Sequence, residues 1–220
     1  MQEATIDELG ERALRATEGP SLNVAAIENG AIAYLRAFGD DRLEPRRAAT
    51  TQSVYNIASV TKQFTAAGVL LLEREKKLSL DDAVGRYFPH LTRAQDVTLR
   101  HLLTHTSGYY DYYPLGFPDP EKMRDATPQR IVEKYATGPL QCEPGAACSY
   151  SNTGFHIAGL VVERVADRPF GAFLEERVLR PSGMKASFFN DPQRVTERHA
   201  IGYTRFALGP GRRAEHERAG

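Results

Sequence analysis

Hydrophobic residues along the chain alternate between two periods. Ile6, Leu9, Ala13 and Leu14 recur at helical spacing, which predicts a short amphipathic helix over residues 4–17. Leu22–Ile27 and Ala31–Phe38 then read as two strands. Asn29-Gly30 between them is a strong hairpin signal, because both central residues of a type I′ turn need positive φ. Gly39-Asp40-Asp41 is expected to end the second strand, and residues 40–52 read as a polar loop. Ile57–Leu72 carries Val60, Phe64, Ala67, Gly68, Leu71 and Leu72 on one face and Ala66, Val69 and Leu70 on much of the rest. A helix apolar nearly all round is expected to be buried.

Shorter helical patterns follow over Val97–Leu103 and Thr127–Tyr135, the latter with Pro128 at its first position. Thr104–Gly108 breaks the first of these, and Tyr109–Pro120 is an aromatic, proline-rich loop, read either as a cleft lining or as packed surface. Thr153–Ala166 is a well-patterned helix with Asn152 expected as its N-cap, and Phe170–Leu179 is another. The pattern therefore predicts an α+β domain over residues 1–208, mostly helical, with part of an antiparallel sheet. Residues 209–220 lack apolar periodicity and are expected to be a disordered tail.

Charge narrows the function. With 28 Lys plus Arg against 28 Asp plus Glu, the chain lacks the basic excess of a nucleic-acid binder. Its apolar runs are too short for a membrane span. Residues 1–19 contain no apolar signal segment, so a cytoplasmic protein is expected, or a periplasmic or secreted one if the true N-terminus lies upstream. Cys142 and Cys148 are expected to be free thiols.

One charge stands out. From Ala48 to Leu72, Lys62 is the only charged side chain, in the first turn of the most apolar helix. A buried ammonium there must find partners or lose its proton, and the positive helix end favours the second outcome. Ser59 lies three residues earlier, so hydroxyl and amine share a helix face, as a nucleophile and its base would. The competing reading makes Ser59 a helix cap and lets Lys62 snorkel outward. Tyr150-Ser151-Asn152 follows a Pro-Gly turn and opens a helix. Tyr150 could share a proton with a lysine, and Asn152 offers an amide both a donor and an acceptor. A capped helix beside a packing tyrosine is the plainer alternative.

Together these segments resemble the serine β-lactamase and penicillin-binding protein superfamily, on its class C β-lactamase and esterase branch. The resemblance is carried by Ser59-Val60-Thr61-Lys62, by Lys77-Leu78-Ser79-Leu80-Asp81-Asp82 and by His101-Leu102-Leu103-Thr104-His105-Thr106-Ser107-Gly108. Tyr150-Ser151-Asn152 and Pro181-Ser182-Gly183-Met184 complete it, and it spans roughly residues 20–205 in the family's order. It implies a β-lactamase/transpeptidase-like fold with Ser59 as the acylated nucleophile and Lys62 and Tyr150 as a proton-transfer network. Asn152 would bind the substrate amide or order Lys62, and the Ser59 N–H would form half of an oxyanion hole.

The implied activity is acyl-enzyme hydrolysis of β-lactams, small esters or D-amino peptides, with no metal or organic cofactor. The implied partner is a small-molecule or peptide acyl substrate, with no partner protein identified. The family's third motif, Lys-Thr-Gly or His-x-Gly on a strand, is not found, so the chain is expected to be the N-terminal portion of the domain, lacking the last sheet strands. Loss of one oxyanion donor costs about 10²–10³-fold in rate, and an open hairpin edge weakens the sheet. Weak activity is therefore expected. The alternative is a catalytically inactive fragment or a module that binds an acyl ligand or a partner.

His101 and His105 at i, i+4 match a zinc pair only weakly, and Thr104–Gly108 breaks the helix such a pair would need. Gly209-Pro210-Gly211 leaves too little chain for a dinucleotide fold. Gly-x-Ser-x-Gly is absent.

Overall fold

The computed structural model describes residues 3–113, 127–190, 196, 198–204 and 212–213. The described residues form two compact units. One holds those up to Asn56 and those from 196 onward; the other holds Ile57–Asn190.

In the first unit, α1 (Glu3–Thr17) precedes a hairpin of β1 (Ser21–Glu28) and β2 (Ala31–Leu43). Asn29 and Gly30 turn it with φ of 51° and 78°, as the type I′ pattern requires. β2 does not stop at Gly39. It runs on to pair with β3 (Arg46–Ala48), giving a three-stranded antiparallel sheet in the order β1-β2-β3. The stretch expected to be a loop is thus partly strand, and the cause is polar. Arg46 pairs with Asp40 at 2.8 Å, and Arg47 with the buried Asp41 at 2.5 Å. Cross-strand ion pairs hold this ladder where apolar alternation is missing. Of residues 209–220, only Arg212 and Arg213 (β5) are described, and they pair with Tyr203–Thr204 (β4); the rest of the expected tail lies outside the described residues.

The second unit is helical and carries the apolar core. A 3-10 turn, Ala58–Val60, leads into α2 (Thr61–Arg74). There follow α3 (Leu99–Leu103), α4 (Pro128–Tyr135), α5 (Asn152–Ala166) and α6 (Phe170–Leu174), the last continued by a π-helical turn, Glu175–Leu179. Val69 and Leu72 of α2, Ile157, Val161 and Val162 of α5, Leu102 of α3 and Phe173 of α6 are fully buried together. At Gly68 a Cβ would come within 3.3 Å of Phe173 and 3.6 Å of Val162, so glycine there allows close packing of α2 against α5 and α6.

Two expectations are corrected here. α2 is not buried all round: its buried stripe is Thr65, Gly68, Val69 and Leu72, while Leu70 is 48% exposed and Val60, in the preceding turn, 54%. Spacings of three and four residues put one face on the core and turn the other away. Tyr109, at the head of the aromatic loop, is a core residue, 1% exposed, and donates a hydrogen bond to the Thr92 carbonyl at 3.0 Å. Residues 114–120 of that loop lie outside the described residues. Among the described residues, no helix is long and apolar enough to cross a membrane.

Candidate active site

Three segments of the helical unit converge on one hydroxyl. Ser59 sits in the 3-10 turn, its side chain exposed. The residue before it, Ala58, is held at φ 44°, a left-handed conformation unfavourable for a side chain with a Cβ. Such strain persists where the surroundings over-determine it, and it gathers at functional sites. Ser59 makes no cap to the helix that follows. Its Oγ instead lies 2.7 Å from the Tyr150 hydroxyl and accepts a hydrogen bond from Lys62 Nζ at 3.2 Å.

Lys62 is half-buried and does not snorkel outward. Besides Ser59 it donates to Asn152 Oδ1 at 2.6 Å. Its ammonium also lies 4.9 Å from the Tyr150 ring centroid and 5.5 Å from that of Phe155, so aromatic faces replace part of its water shell. The structure thus brings all four sequence-predicted residues, Ser59, Lys62, Tyr150 and Asn152, into one hydrogen-bonded cluster, although more than 80 residues separate the two pairs. What joins them is the packing of α2 on α5.

The cap of α5 is Ser151, not Asn152 as expected. Ser151 has extended backbone, and its buried hydroxyl accepts the Gly154 N–H at 3.1 Å. Because the serine satisfies that amide, Asn152 enters the first helical turn with its side chain free to face Lys62.

Two further residues belong to the cluster: His105, read from sequence only as half of a weak zinc pair and as part of the family segment, and Asp111, which the sequence reading did not single out. His105, at φ 58°, stacks its ring on Tyr150 with centroids 4.5 Å apart and planes 27° from parallel. Its Nδ1 accepts the Ser151 N–H at 3.1 Å, so the segment before α5 is held on both sides of Tyr150. Asp111 accepts from the Asn152 backbone N–H at 3.0 Å and from its Nδ2 at 3.1 Å. A readable trace of Asp111 does exist: from Thr106 to Pro118 it is the only charged side chain, the same kind of isolation that marks Lys62. His101 takes a structural part instead. It closes a capping box with Thr98 at the start of α3, its Nδ1 accepting the Thr98 N–H at 3.2 Å. Cys142 and Cys148 are free.

Electrostatics at the cluster act on its histidines. Burial, then the Lys62 charge, lowers His105 below the usual imidazole range. The same two causes lower His156, packed edge-on to Tyr112, from 6.5 to about 4. An unfolded chain then binds more protons than the folded one between these values. The stability His156 contributes is complete above about pH 6.5 and drains away as pH falls toward 4, on the order of 3 kcal/mol in all. Urea midpoints at pH 7.5 and pH 4.5 are expected to differ strongly in the parent chain, and His156→Gln is expected to shrink that difference. Equal differences in both chains would show that His156 is not the linked group.

A helical body that presents a serine, a lysine, a tyrosine and an asparagine at one point, in a chain that also builds an antiparallel sheet, has the α+β architecture of β-lactamases and transpeptidases. The chain belongs to the Beta-lactamase family, whose family model matches residues 4–219. It is similar to penicillin-binding protein 4* of Bacillus subtilis, with 34% identity over 186 residues, 82% of this chain and 41% of the relative. It is also similar to esterase EstB of Burkholderia gladioli, with 33% identity over 215 residues, 91% of this chain and 54% of the relative. The solved octameric penicillin-binding protein homologue from Pyrococcus abyssi superposes with a TM-score of 0.80 at 26% identity, over 97% of this chain and 50% of that one. The chain therefore spans about half the length of these proteins.

Proposed function

We propose that this chain carries the nucleophile and the proton-transfer network of a serine acyl-hydrolase that works through an acyl-enzyme. The supporting observation is Ser59 Oγ, exposed to an incoming carbonyl and bonded at once to Tyr150 OH at 2.7 Å and Lys62 Nζ at 3.2 Å. Oγ attacks the carbonyl carbon of an ester, amide or lactam, and its proton passes into the Tyr150–Lys62 pair. The carbonyl oxygen becomes an oxyanion beside the Ser59 backbone N–H. Collapse breaks the bond to the leaving group, which takes the proton back, and leaves an ester on Ser59. Water then attacks that ester, with the same pair accepting its proton; the acyl–Oγ bond breaks, the proton returns to Oγ, and the acid leaves.

The acyl donors that fit are β-lactams, small esters and D-amino peptides. The kinship with a penicillin-binding protein and an esterase supports an acyl substrate without choosing among these classes.

The test is covalent. The 220-residue chain is incubated with a fluorescent penicillin and, separately, with a fluorophosphonate, and read by intact mass and peptide mapping. One adduct per chain on the Ser59 peptide is expected, absent in Ser59→Ala. A folded sample that takes no label from either reagent overturns the proposal.

A further inference from the structure

We infer that Asp111 is a positioning residue for acylation, fixing which end of the Asn152 amide meets Lys62. The inference rests on the Ser59 reading above and goes beyond it, since no step assigned there needs a carboxylate.

The argument is one of donors and acceptors. Asp111 Oδ1 faces both the backbone N–H of Asn152, at 3.0 Å, and its Nδ2, at 3.1 Å; Oδ2 is 3.3 Å from the same Nδ2. A carboxylate only accepts, so the NH₂ end of the Asn152 amide must point at Asp111. At the other end, Lys62 Nζ only donates, and it lies 2.6 Å from Asn152 Oδ1. Both neighbours demand the same orientation. A flipped amide would set NH₂ against ammonium and carbonyl against carboxylate, two repulsive contacts in place of two bonds.

Asp111 is itself anchored, because Oδ1 also accepts the Tyr113 N–H at 3.2 Å. The chain Asp111–Asn152–Lys62–Ser59 therefore sets where the lysine ammonium stands relative to Oγ. Without Asp111 the amide can rotate, and Nζ loses a fixed second acceptor. Among the described residues, the titratable groups around this chain are Lys62 on α2, His105 after α3, Tyr150 before α5 and His156 on α5. Asp111 is the negative charge that both histidines feel against Lys62.

The experiment follows Ser59 phosphonylation by a fluorophosphonate across pH in the parent chain, Asp111→Ala and Asp111→Asn, with thermal melts confirming that each is folded. Asp111→Ala is expected to slow labelling about 10²-fold, as a small misplacement of reacting groups does. Asp111→Asn can still present an oxygen to the Asn152 NH₂ but has no charge. It is expected to recover part of the rate and to move the acidic limb of the profile to lower pH, because removing a negative charge lowers the pH at which groups near it take up a proton. If Asp111→Ala does not fold, Asp111→Asn alone decides through the position of that limb. A parent chain that labels on Ser59, with variants labelling at the parent rate and with an unmoved limb, overturns the inference and leaves the proposed function standing. A folded parent chain that does not label overturns both.

Discussion

Replacing Lys62 with methionine is expected to slow acylation of Ser59 by about 10²–10⁴-fold, the range over which a positioned proton-transfer group acts. Methionine keeps most of the aliphatic stem that lies against Tyr150 and Phe155 but removes both hydrogen bonds, to Ser59 Oγ and to Asn152 Oδ1. Tyr150 then remains as the only titratable partner on Oγ among the described bonds. The fold should survive, because Lys62 is only half-buried in the first turn of α2, ahead of the buried residues Thr65, Gly68, Val69 and Leu72 that pack the core. Stability and rate therefore separate: a thermal midpoint near that of the parent chain with labelling slowed by orders of magnitude is the expected pair of results. Lys185→Met, at an exposed position of the same unit, is expected to label at the parent rate. Parent-like labelling by Lys62→Met would remove the lysine from the mechanism and leave Tyr150 as the base.

How much of this was legible in the sequence depends on the range of each interaction. Ser59 and Lys62 meet because of local geometry, three residues along one helix start, so spacing made the pair readable, although a capping serine with a snorkelling lysine fitted the same spacing. Tyr150 and Asn152 were readable as a motif, but their position against Lys62 is a product of α2 packing on α5, which no periodicity encodes. The cap was misplaced by one residue because Ser and Asn are both good N-caps. Only the reach of the Ser151 hydroxyl to Gly154 decides between them. β2 ran past its expected end because its last turn of pairing is held by Asp40–Arg46 and Asp41–Arg47, ionic contacts invisible to a hydrophobic pattern. The role of His105 beside Tyr150, and Asp111 altogether, were missed for a different reason. Both residues work from irregular backbone around Gly108, where side-chain direction depends on φ rather than on a repeat.

That irregular backbone sets up the second large effect. Gly108→Ala is expected to destabilise the helical unit by about 3 kcal/mol and to slow Ser59 labelling even where the variant is still folded. Gly108 has φ 78°, where a Cβ is strained whatever the space, and there is no space: a Cβ would stand 2.3 Å from the Cys142 carbonyl oxygen and 3.3 Å from Leu140 Cβ. Neither neighbour can easily withdraw. The next residue along, Gln141, donates its N–H to the Gly108 carbonyl at 2.8 Å, so moving that strand of backbone breaks the bond that holds the two segments together. The displaced segment also carries His105, stacked under Tyr150, and Asp111, bonded to Asn152. A shift at Gly108 therefore reaches the Ser59 hydroxyl directly through Tyr150, and through Asn152 by way of Lys62. Gly138→Ala, where a Cβ would meet nothing within 4 Å, is the matched comparison and is expected to stay within about 1 kcal/mol of the parent. Denaturant midpoints measure the first effect, and labelling rates taken well below the midpoint measure the second. If Gly108→Ala lost stability but labelled at the parent rate, the 105–111 segment would be support for the fold alone, and the placement of Tyr150 and Asn152 would have to come from α5 itself.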